Sequence, residues 1–330
     1  MTQIQWAGGT APAGVGDGPR LLRSLKQVIR AHRPDIIQAG PIQRCALLTA
    51  LTGFRPLVSM SWGYDLLHDV NRGRAWAWAT RYTLQRSAAL AGDCNTIREL
   101  AIQHGMHPEK IVTFPWGANL QEFTPPNHQS PITNYQNPIR DRRGWDASTF
   151  VLLSTRNWAP LYGVEDLARA FVRAARQRPE LRLLMLGGGP LSGRIKSIIH
   201  RTGLIDRVHF PGLVNQHDLP DYYRAADLYI STSHSDGTSI SLLESLASGT
   251  PVLLTDIPGN KEWVSNAGKV GWLFRDGDKR DLERALLHAV DNRDRLPTMG
   301  QAARKLAEER GDWEKNFPKL LEAWGLAWSR

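Results

Sequence analysis

The chain alternates between short apolar runs and longer stretches whose apolar residues recur at helical spacing. Residues 20–33 have the helical pattern, and the strand-like run DIIQAG follows at 35–40. The alternation returns later with a strand-like run at 150–156, a helical pattern at 164–178 and another strand-like run at 181–189. Strands separated by helices are typical of parallel sheets that are covered by helices on both faces. The pattern therefore predicts an α/β fold.

One segment interrupts this alternation and divides the chain. Residues 124–148 contain four prolines and show no clean period, which is typical of a linker and loop. A length of 330 residues is enough for about two domains. We therefore predict an acceptor-side domain at 1–123, a linker at 124–148, a nucleotide-binding domain at 149–305 and a final helix at 306–330. Both domains are expected to be doubly wound, to face a cleft, and to be joined again by the final helix packing back toward the first domain.

Composition limits the cellular setting and the partners. The sequence has no run of 18 apolar residues, so no membrane-spanning helix is expected. Two cysteines, Cys45 and Cys94, without metal-type spacing favour a reducing cytoplasm. A formal charge of +9 favours anionic partners, namely nucleotides or an anionic membrane surface, although a solvated basic face is the simpler explanation of the charge. No recognised motif for nucleic acid accompanies the charge, so nucleic acid is not expected as a partner.

The most informative segment is residues 229–256. A strand is predicted to end at Ser231, a polar turn to follow, and a helix to begin near Ser241 and to end at Gly249. The expected buried face of this helix consists of Leu242, Leu243, Leu246 and Ala247. Free N–H groups at the start of a helix bind anions, and small residues let a phosphate reach the backbone. The small residues here are Gly237, Thr238 and Ser239, followed by Ile240. Asp236 and Glu244, eight positions apart, can hold hydroxyl groups on either side of such a phosphate.

This segment resembles the signature of family-4 glycosyltransferases of the group 1 type, which are retaining enzymes with the GT-B fold. The signature has an acidic residue, seven further residues, a Glu, and then a small-residue turn. The resemblance implies that Asp236 contacts the transferred sugar, the backbone of 237–241 holds the donor phosphates, and Glu244 binds the ribose. Asp236 stands where the family usually has Glu, and the shorter side chain is expected to alter which sugar fits.

Other matches follow in the order of the family. Arg156 lies where the family has an Arg that binds the donor diphosphate, as suits a guanidinium. Tyr162 replaces the usual Lys before a Gly, so one cation of that pair is missing. Gly212 and Leu213 belong to a loop resembling the one whose backbone contacts the nucleotide base in the family.

The first half carries a weaker match. Residues 61–65 (SWGYD) lie where the family often has His-Gly-x-Asp, with Trp62 in the place of the His. Trp62, Gly63 and Asp65 are therefore predicted on the acceptor side, and a purely structural turn remains the alternative. Relative to the family, about 50 residues preceding Pro19 are expected to be missing, which would leave the first domain incomplete.

The resemblance implies a retaining glycosyltransferase of polysaccharide biosynthesis that moves a sugar from a nucleotide diphosphate sugar to a saccharide or lipid-linked acceptor. Charge stabilisation by Arg156 and by a helix start would replace a metal, so no metal or cofactor is expected. The protein is expected in the cytoplasm, with the inner membrane face as a candidate surface. Two alternatives remain: a catalytically impaired nucleotide-binding or partner-binding remnant, and a sugar-nucleotide epimerase of the same architecture.

Overall fold

The computed structural model describes residues 15–126, 137–264 and 268–329 of the chain. The chain divides into two compact units. The first comprises Met1–Pro115 together with Phe317–Arg330, and the second comprises Trp116–Asn316. Each unit contains its own parallel sheet, so the predicted α/β class with two doubly wound halves is confirmed.

The first unit is built on a four-stranded sheet in which every neighbouring pair is parallel. Its strands, in the spatial order β1-β2-β3-β4, are β1 (Ile37–Ala39), β2 (Leu57–Met60), β3 (Ala89–Gly92) and β4 (Ile111–Thr113). Its helices are α1 (Gly18–His32), α2 (Leu47–Thr52), α3 (Tyr64–Leu67), α4 (Arg74–Arg86) and α5 (Asn95–Gln103). A π-helical turn, Ile42–Ala46, precedes α2.

The second unit contains a six-stranded parallel sheet with the spatial order β10-β9-β8-β5-β6-β7. Its strands are β5 (Phe150–Ser154), β6 (Leu181–Leu186), β7 (Val208–Gly212), β8 (Leu228–Ser231), β9 (Val252–Thr255) and β10 (Gly271–Phe274). Its helices are α6 (Pro138–Arg143), α7 (Val164–Gln177), α8 (Ser192–His200), α9 (Leu219–Ala225), α10 (Ile240–Ala247), α11 (Pro258–Lys261), α12 (Lys279–Asp291) and α13 (Leu296–Arg310). Two clusters of buried apolar side chains pack against the sheet.

The predicted linker is only partly a loop. Residues 127–136 lie outside the described part, but α6 forms within the remainder. The Asn137 side chain accepts hydrogen bonds from the N–H groups of Ile139 (2.9 Å) and Arg140 (3.3 Å), and Gly144 ends the helix in the left-handed region. Ile139 is buried in the second unit, so a capped helix replaces the predicted loop at this point.

The final helix begins later than expected. Residues 306–310 complete α13, and the last helix, α14, spans Trp313–Trp328. Gly311 and Asp312 separate the two helices, and the Asp312 carboxylate accepts a hydrogen bond from the Glu314 N–H (3.0 Å), as is typical of a helix start. From Phe317 onward the chain belongs to the first unit, where Ala323 and Ala327 are buried. In the described residues, no helix is long and apolar enough to cross a membrane.

The strand order of the second unit brings several loops to one edge of its sheet. All six strands are parallel, so the loops after β5, β7 and β8 leave from the same, carboxyl edge. Open α/β sheets bind their ligands at this edge. The predicted residues Arg156 and Asp236 lie on these loops, and Gly212 is the last residue of β7.

Gly163 allows the loop after β5 to pack closely against the loop after β8 at this edge. Its φ is +58°, and a Cβ placed on it would lie 2.1 Å from the carbonyl oxygen of Thr232. The Thr232 hydroxyl donates to the Tyr162 carbonyl (2.9 Å), and the His234 N–H donates to the Leu161 carbonyl (2.9 Å). Only glycine satisfies both the backbone conformation and this close approach.

We expect Gly163→Ala to destabilise the second unit by about 3–5 kcal/mol, because left-handed strain and a backbone clash add together. Gly144→Ala is the matched control, since Gly144 has a φ of +62° but no neighbouring atom within 4 Å of the added Cβ. It should cost only about 1–2 kcal/mol. Urea unfolding of both variants tests this, and equal losses would show that the close approach to Thr232 does not matter.

Candidate functional site

The site is organised around the guanidinium of Arg156, two residues after the end of β5. It donates to the Asp236 carboxylate (2.6 Å) and to the Ser241 hydroxyl (3.0 Å). The side chains of Arg156 and Asp236 are 12% and 18% exposed, so the ion pair is largely withdrawn from water. The two residues predicted to be catalytic, Arg156 and Asp236, are thus in direct contact.

Tyr162 lies beneath this guanidinium, where the family has a Lys. The central carbon of the guanidinium is 4.6 Å from the centre of the Tyr162 ring, a cation–π distance. Arg156 Nε is buried and has no hydrogen-bond partner among the residues that the structure describes. The site therefore retains one buried donor that an anion could satisfy.

Helix α10 begins beside the ion pair. Ser239 is its N-cap, and the Ser239 hydroxyl accepts from the Leu242 N–H (3.3 Å). The first N–H groups of any helix have no partner within that helix, which makes this a position suited to a phosphate. The Ser241 hydroxyl accepts hydrogen bonds from Arg156 and from the Tyr229 hydroxyl (2.8 Å), and the second of these connects the helix start to strand β8. The predicted buried face is confirmed, since Leu242, Leu243, Leu246 and Ala247 are fully buried.

Glu244 projects from the second turn of α10 and is 5% exposed. Its two carboxylate oxygens accept one hydrogen bond each, from Gln216 Nε2 (3.1 Å) and from the Tyr223 hydroxyl (2.9 Å). Burial raises the pKa of the Glu244 carboxyl, and the two hydrogen bonds lower it by less. An ionised carboxylate offers about four acceptor positions, so two remain for a pair of hydroxyl groups.

The loop between Asp236 and α10 is held from behind by Gly259 of α11. A Cβ on Gly259 would lie 2.3 Å from the Gly237 carbonyl oxygen and 2.6 Å from that of Asp236. Thr238 is buried, and its hydroxyl accepts from the Trp263 indole N–H (3.1 Å). The backbone contact with Gly259 and the hydrogen bond from Trp263 therefore determine where the loop lies. Ile240, at the helix start, is 48% exposed.

The predicted base-contacting loop follows the same edge. Gly212 ends β7 with a φ of +81°, and its carbonyl accepts from the Gly187 N–H (2.7 Å). The Leu213 side chain is 91% exposed, so it contributes nothing to the core and is free to pack against a ligand.

In the first unit, Asp65 organises a turn. It is fully buried, and its carboxylate accepts from the Ser61 hydroxyl (2.6 Å) and from the N–H groups of Ile42 and Leu66 (both 2.9 Å). Burial raises the pKa of Asp65, and these hydrogen bonds oppose the rise. Gly63 has a φ of +81°, and Trp62 beside it is 53% exposed. The exposed Trp62 side chain can therefore contact an acceptor directly, whereas the buried Asp65 stabilises the turn that carries Trp62.

Sequence reasoning missed three members of the site: Gln216, Tyr223 and Tyr229. Gln216 and Tyr223 hold Glu244 from 28 and 21 residues away, and Tyr229 holds Ser241 from within a strand. Burial raises the pKa of both phenols, so both remain protonated donors. No local motif marks these residues. Within the described ranges, no group of three or more His, Cys, Asp or Glu side chains could hold a metal ion.

The buried charge of Glu244 should lower stability at neutral pH. Because its pKa is raised in the folded state, its contribution to stability is present below the ordinary Glu pKa and is lost as pH rises through the raised value. We expect Glu244→Gln to raise Tm at neutral pH and the gain to vanish in acid. The new amide can donate to Tyr223, whose hydroxyl can donate to the Ser241 carbonyl (3.1 Å). Thermal unfolding across pH measures this, and a pH-independent loss of Tm would contradict it.

Comparison with known proteins matches both units. The family described as "Glycosyl transferases group 1" matches residues 136–306, and the family described as "Glycosyl transferase 4-like domain" matches residues 4–117. The D-inositol 3-phosphate glycosyltransferase of Streptomyces coelicolor is 30% identical over 239 residues, covering 68% of this chain and 52% of the relative. That of Streptomyces scabiei is 27% identical, covering 82% of this chain and 65% of the relative. The chain thus spans about half to two thirds of the length of these relatives.

Solved structures support the same fold. Anabaena HepE in complex with UDP and glucose superimposes with a TM-score of 0.78 at 21% identity, covering 95% of this chain and 84% of that one. Sucrose-phosphate synthase from Thermosynechococcus elongatus gives a TM-score of 0.78 at 18% identity, covering 96% and 81%. These similarities confirm the predicted GT-B fold. With more than half of the sequence matched by the first family, the chain belongs to the group 1 glycosyl transferases.

Proposed function

We propose that this chain is a retaining glycosyltransferase whose second unit binds a nucleotide diphosphate sugar. The observation that carries the proposal is the buried Arg156 guanidinium, which has an unpartnered Nε and lies beside the start of α10. A buried cation and free helix N–H groups together favour a phosphate. UDP is the first candidate nucleotide, because the similar Anabaena structure contains it.

Donor binding requires Arg156 to exchange partners. In the free protein the guanidinium is balanced by Asp236, whereas the diphosphate would take over this charge when it binds. Asp236 would then be released toward the sugar, whose hydroxyl groups can donate to its carboxylate. The ion pair therefore supports a role for both side chains in the same step.

Glu244 supports recognition of the ribose. Gln216 and Tyr223 orient its carboxylate and leave acceptor positions unused, as binding of two neighbouring ribose hydroxyls requires. Bidentate recognition of this kind is independent of the base, so Glu244 would bind any ribonucleoside diphosphate. The loop with Gly212 and Leu213 would then discriminate between bases.

Transfer would proceed by departure of the diphosphate toward Arg156 and the start of α10, which stabilise its developing charge. The acceptor hydroxyl would attack C1 of the sugar from the face that the diphosphate leaves and pass its proton to the departing diphosphate, so the anomeric configuration is retained. The acceptor is a saccharide or a lipid-linked saccharide on the side of Trp62. A lipid-linked acceptor at the inner face of the membrane is compatible with the net charge of +9.

One observation favours a second candidate, a nucleotide-binding protein without transferase activity. Tyr162 supplies a cation–π contact where the family has a second cation, so the site has less positive charge to stabilise a leaving diphosphate. Such a protein would bind the nucleotide as the enzyme does. Only turnover of a nucleotide sugar distinguishes the two.

We expect Glu244→Gln to weaken nucleoside diphosphate binding by roughly 10- to 100-fold, because hydrogen bonds to a charged acceptor are lost. Calorimetry with UDP, GDP, ADP, CDP and TDP measures the affinity and identifies the base. Glu180→Gln is the control, since Glu180 precedes β6 at the opposite edge of the sheet. Unchanged affinity in a folded Glu244→Gln protein would refute the ribose assignment.

We expect Asp236→Asn to bind the free diphosphate at least as tightly as the unaltered protein, because Arg156 no longer has a competing carboxylate. The same variant should lose turnover of the nucleotide sugar, which is measured by NMR of the released sugar. In the unaltered protein, the same spectra show whether the first-formed anomer has the configuration of the donor. Asp256→Asn removes a nearby carboxylate paired with Lys261 (2.9 Å) and is the control for a general charge effect. Weaker diphosphate binding in Asp236→Asn alone would contradict the exchange of partners.

A further inference from the structure

The first unit has a cavity of about 450 Å³ at the amino edge of its sheet. Asp35, Pro56, Ala88 and Lys110 line it, and they precede β1, β2, β3 and β4 respectively. The predicted acceptor-side residues follow β2 at the opposite, carboxyl edge. The cavity thus shares no lining residue with the sites described above, and its volume lies in the range of small-ligand pockets.

The lining is strongly basic. Arg55, Arg86 and Lys110 line the cavity, against the single carboxylate of Asp35. In the part of the chain that the structure describes, none of the three cations forms an ion pair. The central carbon of the Arg86 guanidinium lies 5.0 Å from the centre of the Tyr82 ring. Three cations around one cavity without paired carboxylates favour an anion of more than one charge.

One wall of the cavity comes from the end of α14. Ala323 and Ala327 are buried against Val58 and Ala89 of the sheet, which places the next residue, Trp328, at the rim. Trp328 is 66% exposed although the helix that carries it is anchored. An exposed indole beside cations is suited to a ligand with both a charged and an apolar part.

The surface of α4 next to the cavity has the same character. A second hollow shares Gln85 with the cavity and is lined by Arg81, Trp78 and Tyr82. Trp78 is 54% exposed and stacks on Tyr82 at 5.2 Å. Between Asp69 and Asp93 the sequence has four arginines and no acidic residue. Positive charge with exposed aromatic rings therefore extends beyond the cavity itself.

We propose that this cavity binds the phosphate group of a phosphate ester, with Arg55, Arg86 and Lys110 as its ligands. Arginine presents a fork of donors that matches phosphate oxygens, and lysine adds a mobile charge. The ester is either the headgroup of an anionic lipid or a soluble phosphate ester. The proposal does not depend on the donor site, because all of these residues belong to the first unit.

The test uses the full chain and two probes. Vesicles of phosphatidylcholine with and without phosphatidylglycerol measure lipid binding by sedimentation, and glycerol 3-phosphate measures soluble binding by calorimetry. We expect the triple variant Arg55→Gln/Arg86→Gln/Lys110→Gln to bind the probe about 100-fold more weakly than the unaltered protein. Each cation near a phosphate-bearing surface contributes about fivefold to the affinity, and the three contributions multiply. The probe that binds identifies the source of the phosphate.

The matched control is Arg23→Gln/Lys26→Gln/Arg30→Gln, which removes three exposed cations of α1 in the same unit. It should keep binding within about threefold, since these residues do not line the cavity. The proposal is overturned if neither probe binds, or if both triple variants lose binding equally, as a diffuse charge effect would require. If the first triple variant does not fold, Lys110→Gln alone should lose about fivefold. Unchanged UDP affinity in the same variants separates this result from the donor site.

Discussion

The arrangement of the second unit depends on the burial of one charge, that of Arg156. A guanidinium withdrawn from water requires a counter-charge and acceptors placed around it, because an unpaired buried charge costs several kcal/mol. Asp236 provides the charge, Ser241 an acceptor, and the ring of Tyr162 the remaining face. The loops after β5 and β8 and the start of α10 therefore have to meet at the carboxyl edge of the sheet before the guanidinium can be accommodated.

The rest of the edge reinforces this meeting point. Gly163 allows the loop after β5 to touch the loop after β8, and Gly259 holds the second loop from behind. Tyr229 and Tyr223 extend from the interior toward Ser241 and Glu244, so the start of α10 is tied to the core by phenolic hydroxyls. The result is a surface held by hydrogen bonds that presents a guanidinium, two carboxylates and a helix start, which suits recognition of phosphates and hydroxyl groups.

The sequence predicted this unit well where the pattern was local. Strand β8 ends at Ser231 and the buried residues of α10 include the four apolar ones expected, because a period of 3.6 and a glycine stop are visible in a short window. The helix within the supposed linker was missed, since Asn137 and Gly144 cap it while neighbouring prolines suggested a loop. The support of Glu244 by Gln216 was also invisible, because it joins positions that only the fold brings together.

The contact of Gly259 with two carbonyl groups of the 236–237 loop also restricts how this loop can move. The loop cannot retreat toward α11, because the backbone of Gly259 already occupies that space. Replacing Glu by Asp at position 236 therefore withdraws the carboxylate by about one carbon–carbon bond, roughly 1.5 Å. The length of this one side chain would thus set how far from the loop a sugar hydroxyl can be bound.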